Sequence, residues 1–89
     1  LGNNNTNVSI YPNPMTDIAT FEIPENMGPY YIFIYDVLGN VVRIIEGENS
    51  KKQTIEKVML KNGVYLFEVE FLYEIGASEG RYSGRFIVK

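Results

Sequence analysis

The sequence predicts an all-β fold, an Ig-like antiparallel β-sandwich of about seven strands. Three observations lead there. Turn signals recur at short intervals: Pro12-Asn13-Pro14, Pro24-Glu25-Asn26, Gly28-Pro29, Leu38-Gly39-Asn40, Gly47-Glu48-Asn49-Ser50, Asn62-Gly63 and Gly76-Ala77-Ser78-Glu79-Gly80. Between them lie short runs rich in Val, Ile, Tyr, Phe and Thr, the residues that suit a pleated, half-buried surface. No stretch reads well as a helix, and short strands separated by turns every 8–12 residues or so are the pattern of a sandwich or barrel.

Seven strands follow, over residues 7–11, 19–23, 30–36, 41–46, 53–57, 64–71 and 81–88. Ahead of the second, Pro12 and Pro14 fix their own φ and bias Tyr11 and Asn13 towards extended backbone, making a rigid corner. The third strand puts Ile32 and Ile34 on one face and Tyr31, Phe33 and Tyr35 on the other. It is therefore either a central strand covered on both sides or a strand showing an aromatic stripe, which would mark a contact site. Asp36 and Gly39 occupy the first and fourth positions of a type I turn leading to the fourth strand. The stretch 50–62, with Lys51, Lys52, Glu56 and Lys57, is the least β-biased; Ile55 and Val58 fit an edge strand and its exit, and charge there discourages edge-to-edge aggregation. Gly63 supplies the unusual φ that a tight start to the sixth strand needs. Alternation then sends Tyr65, Phe67, Val69 and Phe71 inward, with Glu68 and Glu70 outward. In the seventh strand Tyr82, Gly84, Phe86 and Val88 face in, with Arg81, Arg85 and Lys89 out. As sequence neighbours these two strands form a hairpin, setting Glu68 and Glu70 beside Arg81 and Arg85 as a cross-strand charge ladder.

At 89 residues the chain is one small domain, able to bury only about 60–65% of its unfolded surface and hardly able to build a deep cleft. Hydrophobic content of 45% with 21% charged residues is that of a globular domain. The net charge of −3 comes from interspersed acids and bases, which argues against a nucleic-acid partner. No apolar run approaches the roughly 20 residues of a membrane span, so the chain is not expected to be membrane-spanning. With no cysteine, its core alone must hold it. Without a starting Met or a basic segment followed by an apolar one, no signal peptide is expected within these residues. Residues 1–7 read as a linker, 8–89 as the domain, and the whole as a piece of a longer protein.

Chemistry has little to work with. Without His or Cys, a Ser/His/Asp triad, a cysteine nucleophile and the usual zinc sets are excluded. The eleven carboxylates show no spacing that forces a glycosidase-like pair together. An enzyme is not expected, nor a cofactor. Loop residues Asn13, Asp17, Asp36 and Asn40 are of the type that binds calcium, but EF-hand spacing is absent and turn capping accounts for Asp17 and Asp36.

Four segments, in order, resemble the motifs of the type IX secretion C-terminal sorting domain, type A, the Por secretion tail family. Tyr11-Pro12-Asn13-Pro14-Met15-Thr16-Asp17, followed by Thr20-Phe21-Glu22-Ile23, is similar to the family's opening motif and next strand. Ile32-Phe33-Ile34-Tyr35-Asp36-Val37-Leu38-Gly39-Asn40-Val41-Val42 resembles its strand–turn–strand. Leu60-Lys61-Asn62-Gly63-Val64-Tyr65-Leu66 is similar to the lead-in to its penultimate strand, and Gly84-Arg85-Phe86-Ile87-Val88-Lys89 to its basic-apolar-x-apolar-Lys ending. Each motif alone is weak; together and in order they are specific. Met15 stands where the family often has Ala or another small or apolar residue, Asn40 where it often has a basic one, and 72–80 makes the last hairpin connection longer than the family's.

The resemblance implies a signal domain that directs a larger secreted cargo across the outer membrane of a Gram-negative bacterium. Its partners would be the type IX translocon, a sortase-like surface protease that cleaves near residues 1–7, and the cargo domain preceding it. It would pass through the periplasm to the cell surface or the outside. The sorting-motif residues carried over are Tyr11, Pro12, Asn13, Pro14, Tyr35, Asp36, Gly39, Gly63, Tyr65, Arg85, Phe86, Val88 and Lys89. The competing reading is an Ig-like or fibronectin-like accessory module that spaces domains or binds carbohydrate through Tyr31, Phe33 and Tyr35. A third is an assembly protein adding a strand at an open edge.

Overall fold

The computed structural model describes residues 8–23, 28–48, 51–72 and 81–89. The expected linker at 1–7 and residues 73–80 of the last connection lie outside the described residues. Seven strands form where the turn signals divide the chain: β1 (Ser9–Tyr11), β2 (Ile18–Glu22), β3 (Pro29–Tyr35), β4 (Val41–Glu48), β5 (Lys52–Glu56), β6 (Gly63–Phe71) and β7 (Arg81–Val88). Their ends fall within two residues of the expected ones. They make two antiparallel sheets, one of three strands in the order β1-β2-β5 and one of four in the order β4-β3-β6-β7. This is the predicted Ig-like sandwich, and β5 is the edge strand its lysines suggested.

Alternation places the core. On β6, Tyr65, Phe67, Val69 and Phe71 are buried, and on β7 so are Phe86 and Val88. On β3, Ile32 and Ile34 are fully buried while Tyr31, Phe33 and Tyr35 are half-buried on the outer face. That face is neither a bare stripe nor a second core. In register Phe33 lies between Ile44 and Glu68, and the Tyr31 and Phe33 rings lean together at 5.9 Å.

Aromatic rings join the two sheets. Phe21 of the three-stranded sheet stands edge-on to Phe67 at 5.0 Å and to Phe86 at 6.0 Å in the four-stranded one. Tyr65 stacks on Phe86 at 5.7 Å. Each such pair contributes about 0.5–1.5 kcal/mol beyond its area burial. Further along, Phe71 packs edge-on against Tyr30 and Tyr82. Burial raises the pKa of the Tyr30 hydroxyl, partly offset by a hydrogen bond with the Gln53 side chain.

Two glycines make room for these rings. A Cβ at Gly84 would lie 2.8 Å from the Phe67 ring, and one at Gly47 only 2.2 Å from that of Tyr30. Both rings are wedged in the core, so neither can swing away without opening a void. Gly84→Ala is therefore expected to destabilise the domain by about 1–3 kcal/mol, the ordinary range for overpacking, and Gly47→Ala by more than Gly84→Ala. Denaturant midpoints at constant slope check both; wild-type midpoints would refute the packing account.

Candidate functional site

The four motif segments are far apart in sequence but converge on one pole of the sandwich. β1 and β5 end there, as do β3 and β7, while β2, β4 and β6 begin there. The pole is therefore built from the turns 12–17, 36–40 and 57–62 together with the end of β7.

The turn 12–17 is stitched to β7. Tyr11-Pro12 and Asn13-Pro14 are both cis peptide bonds. Asn13 Oδ1 accepts from the Ile87 amide at 2.9 Å. The Met15 amide donates to the Ile87 carbonyl at 2.8 Å, and the Lys89 amide donates to the Met15 carbonyl at 2.9 Å. Met15 and Val88 form an isolated parallel bridge, and both side chains are buried. Tyr11 is partly exposed, and its hydroxyl donates to Glu22 Oε1 at 2.8 Å. That bond, helped by burial and by the Glu22 charge, raises the Tyr11 pKa.

The turn 36–40 organises itself around Asp36. Its carboxylate accepts from the Leu38 amide at 3.0 Å, the Asn40 amide at 2.9 Å and the Asn40 side chain at 3.2 Å. The Gly39 amide closes onto the Asp36 carbonyl at 3.0 Å, the type I arrangement expected, and Gly39 has φ 91°, where a Cβ is disfavoured. The Asn40 amide, the largest cause, holds the Asp36 carboxyl below the usual carboxylate range; burial opposes it, and the Asn40 side chain and the Leu38 and Gly39 amides add to it.

At the 57–62 turn the Lys57 amide donates to the Asp17 carbonyl, and Lys57 Nζ donates to the Lys89 carbonyl, both at 2.8 Å. The buried Tyr65 hydroxyl reaches back to the Lys61 carbonyl at 2.7 Å, and Gly63 has φ 153°. Arg43 comes across from β4 and donates to the carbonyls of Glu56 and Val58.

The motif residues thus divide by exposure. Phe86, Val88 and Tyr65 are core; Pro12, Asn13, Pro14, Gly39, Arg85 and Lys89 lie on the surface, and Tyr35, Asp36 and Gly63 are half-buried. On the outer sheet face Arg81 stands opposite Glu70, while Glu68 faces Ser83 and Arg85 faces Leu66. The charge ladder is thereby staggered; Glu68 takes a hydrogen bond from the Tyr35 hydroxyl at 3.1 Å, and the Arg81 side chain lies outside the described residues. Three residues hold the pole in roles the sequence did not show: Met15, read only as a departure within the first motif, Lys57, read only as edge-strand charge, and Arg43, not singled out at all. An apolar residue set in the polar run 12–17 was the available sign for Met15; Arg43 and Lys57 bond to backbone carbonyls and leave no sequence signal. The side-chain oxygens of Asn13 and Asp36 are turned to backbone donors, and no group of three or more His, Cys, Asp or Glu that could hold a metal gathers among the described residues.

Compared with known proteins, the chain matches the family model described as the secretion system C-terminal sorting domain over residues 9–89. No curated protein matches it.

Two outcomes follow from the pole's bonding. Asn13→Ala leaves the Ile87 amide without its side-chain acceptor and is expected to cost about 0.5–1.5 kcal/mol of stability, read from chemical denaturation. For Asp36 the folded pKa lies below the unfolded one. Its contribution is complete above about pH 4, the ordinary value, and is lost as pH falls through the folded value. The Tm gap between wild type and Asp36→Asn should accordingly narrow on acidification below that point; a gap independent of pH would refute it.

Proposed function

The chain belongs to the secretion system C-terminal sorting domain family, the sorting signal of type IX secretion, and from that premise we infer that it works as a folded address rather than as a linear tail. One observation carries this reading. The last motif is not available as an extended peptide, because Phe86 and Val88 are in the core and the Ile87 and Lys89 amides are bonded to Asn13 and Met15. What remains outward from it is Arg85, Ile87 and Lys89, displayed beside the exposed Pro12-Asn13-Pro14 corner. A receptor can meet the first and last motifs together only if the domain has folded.

The type IX assignment implies a secretion machinery and a cargo attached at the N-terminus, with export to the cell surface or outside. In the finer reading the domain folds in the periplasm, the translocon binds the pole, and a sortase-like surface protease then removes the domain near residues 1–7, with 8–89 as the signal unit. Among the motif residues, Phe86, Val88, Tyr65 and Gly63 shape the address, and Tyr11, Pro12, Asn13, Pro14, Arg85 and Lys89 are its legible part. Tyr35, Asp36 and Gly39 hold the neighbouring turn. The family is a sorting signal, not a catalytic one, and nothing favours the accessory-module alternative.

The test is a secretion assay in a host with a working type IX system, using a Sec signal, a fluorescent protein and residues 1–89. Fluorescence is expected outside the cells, and inside them in a translocon-null strain. Val69→Asp unfolds the core by burying an unpaired charge yet leaves every residue of the four motif segments unchanged. It should abolish export; undiminished export would sink the folded-address reading in favour of a linear one.

A further inference from the structure

Two turns at the motif pole carry side chains that turns ordinarily avoid. The tips of the β3–β4 and β5–β6 turns are Val37-Leu38 and Val58-Met59, exposed by 68, 83, 63 and 90% respectively. Gly, Asn, Asp and Ser are the usual occupants of such positions, since each has a conformational or hydrogen-bonding reason to be there. Here four large apolar side chains stand in water instead.

They are held out firmly. The first tip is fixed by the Asp36 carboxylate on the amides of Leu38 and Asn40. The second is closed by the Leu60 amide on the Lys57 carbonyl at 2.7 Å and by Arg43 on the Val58 carbonyl. Met59 adopts φ 68°, a left-handed conformation that disfavours any residue with a Cβ and that a Gly or Asn would take more easily. Strain of this sort persists where surrounding bonds over-determine it and is concentrated at sites of contact. Both tips stand at the same pole, and the second reaches β4: Val58 and Met59 line a hollow on the open β4/β5 side together with Val42 and Arg43.

The surrounding charge points to a class of partner. The pole's described residues include five cations, Arg43, Lys57, Lys61, Arg85 and Lys89, and four anions, Asp17, Asp36, Glu56 and Glu68. The balance is positive although the whole chain carries −3, so the complementary surface is acidic. Anions interleaved with the cations, including Asp36 at the foot of the first tip, suit a protein surface better than an anionic lipid surface, which would repel them.

We propose that the Val37-Leu38 and Val58-Met59 tips form a preorganised apolar contact through which a protein of the secretion translocon, offering an apolar recess with an acidic rim, reads the folded domain. The proposal rests on the sorting function and assigns the contact to side chains other than the sorting-motif residues carried over from the family. Preorganisation is what makes such a small surface effective, because little ordering entropy is left to lose on binding.

The experiment combines Leu38→Ser with Met59→Asn, both turn-compatible, and uses Ile44→Thr on the outer sheet face as a control. Export of the fluorescent fusion is measured beside binding of the 89-residue domain to detergent-solubilised, purified translocon and to anionic phospholipid vesicles. The double variant should keep or raise the wild-type Tm, lose roughly tenfold or more in translocon affinity, which is about 1.4 kcal/mol per decade, and be exported several-fold less. Ile44→Thr should change neither. If the wild type is exported and the double variant binds and exports as well, the contact is refuted while the sorting function stands. A loss confined to vesicle binding overturns the protein partner in favour of a membrane. Failure of the wild type itself to be exported overturns the sorting reading, and this inference with it.

Discussion

Met15 is the residue on which the sandwich closes. Its side chain is fully buried, and its two backbone groups bond to Ile87 and Lys89 on either side of Val88. One residue of the first turn thereby supplies both a core side chain and a strand-like partner for the last strand. Without it the described residues would join the two sheets at this end only by side-chain packing and by the side-chain hydrogen bonds of Asn13, Arg43 and Lys57, and the edge of β7 would lie open beside it. Edge strands are a liability in any sheet protein; here the turn 12–17 covers the terminal part of that edge.

This closure changes what a sequence motif means in the molecule. The first and last motif segments are more than seventy residues apart by position, as Asn13 and Ile87 show with a separation of 74, yet they form one bonded unit. Much of what they contain serves the fold. Phe86 fills the centre of the aromatic cluster with Phe21, Phe67 and Tyr65, and Asp36 spends its carboxylate on its own turn. The residues left on the surface are then positioned by those buried ones. A machinery that bound this pole would test folding and identity in a single contact.

A domain this small, without cysteine, has few means of holding such a surface still. It relies on ring-to-ring contact across the sheets, and on glycines at 47 and 84 placed where the rings need space. Among the described residues no charged side chain is buried, and the hydroxyls of the buried Tyr30 and Tyr65 are offset by hydrogen bonds with the Gln53 side chain and the Lys61 carbonyl. Polar groups do their work at the rim instead: Arg43 and Lys57 tie neighbouring segments together through backbone carbonyls.

Local chemistry was enough to lay out most of this molecule. Period-two alternation on β6 and β7 put the right side chains in the core because a strand has only two faces, and Asp36 with Gly39 announced their turn because its dihedrals admit few residues. The family motifs were legible as strings for the same reason. What the sequence by itself could not decide was which strings touch. That depends on strand order and register, which are set by how the two sheets pack as a whole. The pairing of Met15 with Val88, the capping of Ile87 by Asn13 and the reach of Arg43 to Glu56 and Val58 are all contacts between residues with no local relation. So is the hollow that Val42 and Arg43 of β4 share with Val58 and Met59. Propensity acts over a few residues, whereas these contacts exist only once the chain has closed on itself.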